Sequence, residues 1–344
     1  MPRRVVIVLP CCIGDVILGT ALLSALRRAY PDAQIDWAVG GWSLAALAHH
    51  PHLNARIDTG TAANPVKTPG GMLRLVRQLR AGRYDLMVSL VRSPLMSVAA
   101  LLSGIPQRAG LDSAGRGFGY TVRVPVNPDQ PRHEAEIYLD VARALKIDTT
   151  ECYANLPVLD ADRATMTARL AALGGHGHYL VVHPGGGRNP GMTFDAKRYP
   201  PELLAQVAQA TARQLEATLV IIGAPSDLPL VRTVATALAT PPLTFTDLTF
   251  GQIAALAAGS ALYIGNDTGM THLAAAAGAR TVAIFGPSDP VRYAPFGRQV
   301  LTVWRPAVVD ARGVGGGHAL AWDWARDGIA PDAATAQIRQ WLAD

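Results

Sequence analysis

The chain has 344 residues, and at about 150 residues per domain this length predicts two domains, each able to bury a core. Apolar residues make up 49% and charged residues only 17%, which excludes a disordered or acidic-tail protein. The net charge of +5 comes from scattered arginines and three lysines, so a dedicated nucleic-acid-binding protein is not expected. A mild attraction to anionic substrates or to an anionic membrane face stays open.

Cysteine usage and apolar runs bear on where the protein works. Cys11 and Cys12 are adjacent and Cys152 stands alone, so we expect no disulfide framework, which suits a reducing compartment. The start resembles a signal peptide, but Asp15 interrupts the apolar run and no small-residue cleavage site follows. No stretch approaches the ~18 uncharged apolar residues that cross a bilayer. We therefore expect a cytoplasmic protein, with peripheral contact with the inner membrane face as a further expectation.

The first half alternates predicted strands and helices. Residues 5–9 form a continuous β-branched run, typical of a strand buried on both faces, and residues 16–30 have apolar positions at helical spacing before Pro31. The remaining strands are predicted at 34–39 and 86–90, and the remaining helices at 72–80, 95–102 and 132–145. This alternation predicts a parallel sheet covered on both sides.

The second half repeats the plan. Strands are predicted at 179–183, 219–222, 261–264 and 282–285, and helices at 201–215, 228–238, 250–258, 271–277 and 332–342. We expect a connector at 156–177, which includes one helix, and a flexible glycine-rich loop at 313–317. The predicted domains are residues 1–160 and 161–325, and a C-terminal helix within 326–344 is expected to pack back on the first domain. Since ligands sit at the carboxyl ends of such strands, a cleft between two facing sheets is the predicted site.

Gly14 and Asp15 follow the first predicted strand. A carboxylate at this carboxyl end can take a proton from a substrate hydroxyl, as a general base must. The alternative is that Asp15 caps the helix that follows, and the two roles are compatible.

A glycine-rich loop, HPGGGRNPG, follows the strand predicted at 179–183 and leads to Lys197. Glycines such as Gly186 and Gly187 let backbone N–H groups approach a phosphate closely. The loop is neither GxxxxGK[ST] nor GxGxxG, because Pro190 breaks the second pattern. Lys197 is the one lysine of the second half, and its compact charge suits phosphate oxygens. The alternative is a solvated lysine at a helix start.

The segment NDTGMTHLAAAAG, from Asn266, lies between a predicted strand and a small-residue helix. The helix N-terminus offers N–H groups and a positive dipole end to an anion, Thr268 adds a hydroxyl and Gly269 permits close approach. Asp267 can accept hydrogen bonds from sugar hydroxyls. Alternatively, Asp267 or Thr268 caps the helix and His272 is a buried core histidine.

Other kinds of site find little support. His49, His50 and His52 are clustered, but no Cys, Asp or Glu stands near them at ligand spacing, so we expect no metal site. There is no Gx[ST]xG elbow for a serine nucleophile, and the failed GxGxxG pattern disfavours an NAD-dependent dehydrogenase.

Four segments, in this order, resemble glycosyltransferase family 9, the ADP-heptose:lipopolysaccharide heptosyltransferases and their relatives. They are GDVILGTALLSALRRAYPDAQIDWAV, YDLMVSL, HPGG…AKRYPPE and NDTGMTHLAAAAGARTVAIFGPSDP. Their order and spacing agree over nearly the whole chain, and the last segment is the most specific.

The resemblance implies a GT-B fold, in which two Rossmann-like domains face a cleft with the acceptor on the N-terminal side and the donor on the C-terminal side. It also implies an inverting, metal-independent transfer from a nucleotide sugar, typically ADP-heptose, without a separate cofactor. Asp15 would activate the acceptor hydroxyl as general base. The implied donor-binding residues are Lys197, Asp267, Thr268, Gly269 and His272, with Gly186 and Gly187 before them.

Departures from the family pattern leave more than one class of acceptor compatible with the sequence. Cys11-Cys12 is unusual before the GD pair, and the loop before Lys197 is longer and richer in glycine than is usual. Gly14, Arg92 and Arg116 are the candidate acceptor-binding residues, but the first half shows no basic cluster for a phosphorylated lipid. Alternatives are therefore a different nucleotide sugar, a small-molecule acceptor, an epimerase on the same architecture, or a non-catalytic nucleotide-sugar-binding protein, against which the presence of Asp15 argues.

Overall fold

A computed structural model describes residues 1–175, 177–306 and 322–344 and divides the chain into two units. The first unit is Met1–Ala154 with Asn189–Gly191, and the second is Asn155–Arg188 with Met192–Asp344. The sequence interpretation placed the boundary slightly later, between residues 160 and 161. The loop predicted at 313–317 lies outside the described residues.

The first unit contains one six-stranded sheet. Its strands are β1 (Arg4–Val8), β2 (Gln34–Val39), β3 (Ala55–Asp58), β4 (Leu86–Ser89), β5 (Gln107–Ser113) and β6 (Val122–Val126). All neighbouring pairs are parallel, in the order β3-β2-β1-β4-β5-β6. Its helices are α1 (Ile13–Leu18), α2 (Thr20–Ala29), α3 (Pro69–Ala81), α4 (Pro94–Ser103) and α5 (Glu134–Ala144).

The second unit repeats this architecture. Its strands are β7 (Tyr179–His183), β8 (Arg188–Asn189), β9 (Met192–Thr193), β10 (Thr218–Ile222), β11 (Leu243–Phe245), β12 (Leu262–Asn266), β13 (Thr281–Ile284) and β14 (Val300–Val303). Six form a parallel sheet in the order β11-β10-β7-β12-β13-β14, while β8 pairs with β9. Its helices are α6 (Asp160–Ala172), α7 (Pro201–Leu215), α8 (Leu228–Ala237), α9 (Phe250–Ala258), α10 (Gly269–Ala276), α11 (Pro290–Tyr293), α12 (Trp324–Asp327) and α13 (Pro331–Ala343).

Both sheets have the strand order of a Rossmann fold, which confirms the two predicted Rossmann-like domains. In this order the first and fourth strands are neighbours, and ligands bind where the connections diverge from them. These strands are β1 and β4 in the first unit and β7 and β12 in the second. Every candidate residue except Arg116 and Lys197 lies directly after one of these four strands or in the helix that follows it.

Several elements differ from the sequence expectation. The single helix predicted at 16–30 is two helices, α1 and α2, which meet at Gly19, where a Cβ would lie 2.9 Å from the Trp37 ring. The short β8–β9 pair was not predicted, and neither were strands β3, β5, β6, β11 and β14 of the two six-stranded sheets. They are edge strands or next to an edge, where polar residues, Gly110 and Pro125 are tolerated and no continuous apolar run is required.

The C-terminal helix α13 packs within the second unit. Ala334 and Ile338 on this helix are buried in the same apolar cluster as Leu204 of α7 and Val303 of β14. The expected packing of this helix on the first domain stays a prediction. Among the helices that the structure describes, none is long and apolar enough to cross a membrane.

Candidate functional site

In the first unit, Asp15 lies in the first turn of α1, directly after β1. The Cys12 N–H donates to Asp15 Oδ2 at 3.3 Å, and the Tyr138 hydroxyl donates to Asp15 Oδ1 at 3.2 Å. The capping interpretation of Asp15 therefore describes a real contact, although Cys12 occupies the N-cap position and Asp15 the third helical position. Together the two bonds orient the carboxylate at the carboxyl end of β1.

A buried ion pair between Arg92 and Glu134 lies beside Tyr138, the residue that donates to the Asp15 carboxylate. The Arg92 guanidinium donates to both oxygens of Glu134, at 3.2 and 2.5 Å, and the Glu134 side chain is only 4% exposed. Glu134 and Tyr138 are four residues apart on α5, so they share one helix face. Burial and the carboxylates of Asp15 and Glu134 hold the pKa of Tyr138 well above its ordinary 10.0, so this hydroxyl is a neutral donor.

The three predicted acceptor-binding residues, Gly14, Arg92 and Arg116, lie in different surroundings. Gly14 lies beside Asp15 in α1, and Arg92 is close enough that Asp15 contributes to raising its pKa, although Glu134 contributes more and burial opposes both. Arg92 thus has its charge balanced by Glu134. Arg116 lies in the exposed turn after β5, where its backbone oxygen accepts a hydrogen bond from the Ser97 hydroxyl. The acceptor roles of all three stay predictions.

The cysteine expectation requires a correction. Cys11 and Cys12 are joined by a disulfide directly before α1, whereas Cys152 is free and buried. Spacing criteria for disulfides apply to cysteines separated along the chain, and a bridge between neighbouring cysteines falls outside them. The described ranges contain no group of three or more His, Cys, Asp or Glu side chains that could hold a metal ion.

In the second unit, Lys197 and Asp267 form a close ion pair. Lys197 Nζ lies 2.6 Å from Asp267 Oδ2, and the exposed fractions of the two side chains are 20% and 5%. His272 Nε2 lies 3.9 Å from the other carboxylate oxygen, and His272 is itself buried. Lys197 is therefore not the solvated lysine of the alternative interpretation. Its neighbours are Asp267 and the Tyr293 ring, whose centroid lies 5.8 Å from Nζ.

Asp267 is held in its ionised form. Burial by itself would raise the pKa of this carboxyl, but the Lys197 ammonium and His272 outweigh burial and hold the pKa well below its usual range. A buried carboxylate that keeps its charge is a strong acceptor for hydroxyl donors. The pair therefore presents one cation and one anion at the carboxyl end of β12.

Asn266, which sequence reasoning quoted but did not single out, joins the parts of this site. Its side-chain amide donates to the backbone oxygens of Pro184 and Gly185 at 3.0 and 3.1 Å. Its Oδ1 accepts the Tyr199 N–H at 3.0 Å. Asn266 is completely buried, and it thereby fixes the glycine loop after β7 and the segment that carries Lys197 against the end of β12.

The glycine loop approaches the start of α10 closely. Gly186 has φ +117°, and a Cβ at this position would lie 1.9 Å from the Thr268 methyl. Gly187, at φ +71°, packs in the same way against the backbone oxygen of Phe194. The Arg198 side chain donates to the Gly186 oxygen at 2.9 Å, which holds the loop in place. The structure thus brings together the two segments that the sequence treated as separate motifs.

The N-terminus of α10 begins at Gly269, with Thr268 as its N-cap. The Thr268 side chain accepts no hydrogen bond from the helix backbone, so it does not act as the side-chain cap of the alternative interpretation. The His272 N–H bonds to the Thr268 oxygen at 3.2 Å, which closes the first turn. The N–H groups of Gly269 and Met270 precede this turn, and helix N-termini of this kind bind anions.

His183 and Asp227 form a second buried pair that sequence reasoning missed. His183 ends β7, and its Nε2 lies 4.0 Å from Asp227 Oδ2. Burial lowers the pKa of His183 to about 4, which Asp227 only partly opposes. The imidazole is therefore neutral at physiological pH. A polar residue at the end of an otherwise apolar strand was the signal that could have identified it.

Comparisons with known proteins identify the family of the chain. Residues 72–311 match the model of glycosyltransferase family 9 (heptosyltransferase). A curated relative, lipopolysaccharide heptosyltransferase 3 of Escherichia coli K12, is 28% identical over 305 residues, covering 85% of each chain.

Solved structures show the same fold. The glycosyl transferase family 9 protein of Veillonella parvula superposes with a TM-score of 0.74 at 25% identity, over 88% of this chain and 85% of that one. ADP-heptose lipopolysaccharide heptosyltransferase II of E. coli gives a TM-score of 0.74 at 20% identity, over 99% and 98%. These likenesses and the two Rossmann-like sheets confirm the predicted GT-B fold.

Proposed function

Because the chain belongs to glycosyltransferase family 9 (heptosyltransferase), we propose that it transfers a heptose from ADP-heptose to a hydroxyl of a lipopolysaccharide-type glycolipid. We further propose that the transfer inverts the anomeric carbon and requires neither a divalent metal ion nor another cofactor. The names of the similar proteins support the donor and the acceptor class. The observation that carries the proposal is the Lys197–Asp267 pair beside the N-terminus of α10.

The second unit supplies what the donor needs. Negative charge develops on the diphosphate as it leaves, and fixed cations and N–H groups stabilise such charge most in a site that excludes water. Lys197 supplies the cation, and the N–H groups before the first turn of α10, with the Thr268 hydroxyl, supply donors. Asp267 accepts hydrogen bonds from the sugar hydroxyls, and His272 lies behind it.

The first unit supplies the base. Asp15 takes the proton of the acceptor hydroxyl as that oxygen attacks the anomeric carbon, and the bond between this carbon and the diphosphate breaks. Tyr138 and Cys12 orient the carboxylate while this happens. Attack from the face opposite the leaving diphosphate gives the inverted product.

Calorimetric titration without divalent metal tests the donor half. We expect ADP-heptose to bind more tightly than UDP-glucose, GDP-mannose or NAD. Lys197→Ala is expected to weaken ADP-heptose binding by about 10- to 100-fold, because it removes one charge-assisted contact worth roughly 1.5–3 kcal/mol. Unchanged affinity in this variant would remove Lys197 from the donor site.

A second variant distinguishes loss of donor binding from loss of folding. Lys197→Ala leaves the Asp267 carboxylate buried without its cation, which destabilises a fold by roughly 3–5 kcal/mol. Lys197→Ala with Asp267→Asn removes both charges and restores a neutral site. We expect this double variant to fold and still to bind ADP-heptose weakly. Preference of the wild-type chain for another sugar nucleotide would contradict the proposed donor.

A further inference from the structure

Positive charge is concentrated in one part of the first unit. Residues 59–128 contain nine Lys and Arg against two Asp, a net charge of +7, whereas the whole chain carries +5. The rest of the chain therefore carries a small net negative charge. The positive charge that the sequence analysis describes as scattered is thus, as net charge, concentrated in this segment. The two acids of the segment, Asp85 and Asp112, accept hydrogen bonds from backbone N–H groups. Among the described ion pairs, only Arg92 of the nine cations has a carboxylate partner.

The same segment exposes apolar side chains. Across the residues that the structure describes, ten large apolar side chains are exposed, and five of them lie between positions 73 and 118. They are Leu73, Leu95, Leu101, Leu102 and Phe118, each 42–49% exposed. Single exposed leucines are ordinary on protein surfaces, but a cluster of them indicates a binding surface.

Hydrogen bonds place arginines among these apolar residues. The Arg80 side chain of α3 donates to the Leu102 oxygen of α4 at 2.8 Å. The Arg123 side chain donates to the Phe118 oxygen at 3.1 Å. Both partners are carbonyls, so the positive charges stay uncompensated.

The helices and the turn present these residues together. Arg77 of α3 is one turn from Leu73 and three residues from Arg80, so these three share a helix face. The turn after β5 lies against the middle of α4, since the Ser97 hydroxyl donates to the Arg116 oxygen. We define the docking face as the exposed residues of α3, α4 and this turn.

We propose that the docking face binds an anionic lipid bilayer. Leucine and phenylalanine side chains enter the boundary between headgroups and acyl chains, and arginines pair with headgroup phosphates. A second copy of the chain is a poor occupant, because a twofold contact would bring two +7 segments together. The inference rests on the proposed function in one respect: a glycolipid acceptor is held in such a bilayer.

Vesicle sedimentation of the full chain tests the proposal without donor or acceptor, so its result is independent of transferase activity. We expect binding to vesicles of phosphatidylcholine with phosphatidylglycerol, little binding to phosphatidylcholine alone, and release at high salt. Arg74→Gln with Arg77→Gln is expected to weaken binding about 25-fold, at about fivefold per arginine. Leu101→Gln with Leu102→Gln is expected to weaken it about tenfold or more, since both half-exposed side chains lose their apolar contact.

Two matched controls come from the second unit. Arg213→Gln with Arg232→Gln removes the same charge from exposed positions on α7 and α8, and Leu173→Gln removes an equally exposed leucine. We expect both controls to bind vesicles nearly as the wild-type chain does. Equal loss in the controls, equal binding to both vesicle types, or binding to RNA in place of vesicles would overturn the docking face. Circular dichroism confirms that each variant is folded.

Discussion

At the scale of single residues, the two aspartates of the candidate site stand in different surroundings. Asp267 is buried and has a cation 2.6 Å away, so it is held as a charged hydrogen-bond acceptor. Asp15 is half-buried, and the Cys12 N–H and the Tyr138 hydroxyl, both neutral donors, hydrogen-bond to its carboxylate. Environments that separate two carboxylates in this way commonly separate their chemical roles. We therefore expect Asp267 to bind and Asp15 to exchange a proton.

Substitution of Asp15 tests this division. Asp15→Asn is expected to lower kcat by roughly 10²- to 10⁴-fold with nearly unchanged donor affinity, because the amide keeps the shape but cannot accept the proton. Tyr138→Phe is the matched variant, and it removes only the hydrogen bond to Oδ1. We expect it to lower kcat by about tenfold with little effect on KM. Steady-state kinetics distinguish the cases, and full activity of Asp15→Asn would leave Asp15 with its capping role alone.

At the scale of elements, the proposed donor site depends on two loops held at the carboxyl ends of two neighbouring strands. The loop after β7 and the start of α10 follow neighbouring strands, and Asn266 bonds the first to the end of β12. Gly186 then touches Thr268 with no room for a side chain. A glycine is required there both for its positive φ and for this contact.

Gly186→Ala tests the contact between these loops. The new methyl group would overlap the Thr268 methyl, so Thr268 and the start of α10 must move, and we expect ADP-heptose affinity to fall more than tenfold by calorimetry. Gly174→Ala is the control, since Gly174 also has a positive φ, +75°, but nothing within 4 Å of its Cβ. Adding Thr268→Ser to Gly186→Ala removes the Thr268 methyl group that the new side chain would overlap. This double variant is expected to regain part of the ADP-heptose affinity. Failure of this rescue would contradict the steric explanation.

At the scale of the whole molecule, the chain is built from two copies of one topology, each with a sheet whose central strands are buried. Strands β1 and β7 are almost completely buried, and each ends beside candidate site residues, Asp15 after β1 and the glycine loop after β7. Burial of an ionisable side chain at a strand end makes the free energy of unfolding depend on pH. His183 is the clearest case, because it is buried and its pKa is lowered to about 4.

The stability of the protein is therefore expected to fall in acid. An unfolded chain protonates this histidine near pH 6.5, whereas the folded chain keeps it neutral to about pH 4, so acidification between these values favours unfolding. The full effect is roughly 3 kcal/mol, and about 2 kcal/mol of it appears between pH 7 and pH 5. Urea unfolding at both pH values measures it. His183→Gln is expected to lose most of this pH dependence, and an equally steep loss of stability in the variant would contradict the assignment.

The sequence by itself determined the elements whose signals are local. A continuous β-branched run identified β1, since a strand buried on both faces needs no polar alternation. Spacing identified most of the helices, and the segments around Asp15, Lys197 and Asp267 identified the family. The two-domain α/β architecture followed from the alternation of these elements.

Only the tertiary structure decided what depends on residues far apart in the chain. Asp15 meets Tyr138 across 123 residues, and Lys197 meets Asp267 across 70. Edge strands such as β6 are stabilised by pairing with a neighbour, so their own sequence carries a weak signal. No local pattern encodes these pairings, because the free energy of each contact depends on burial and charge that exist only after the sheet has formed.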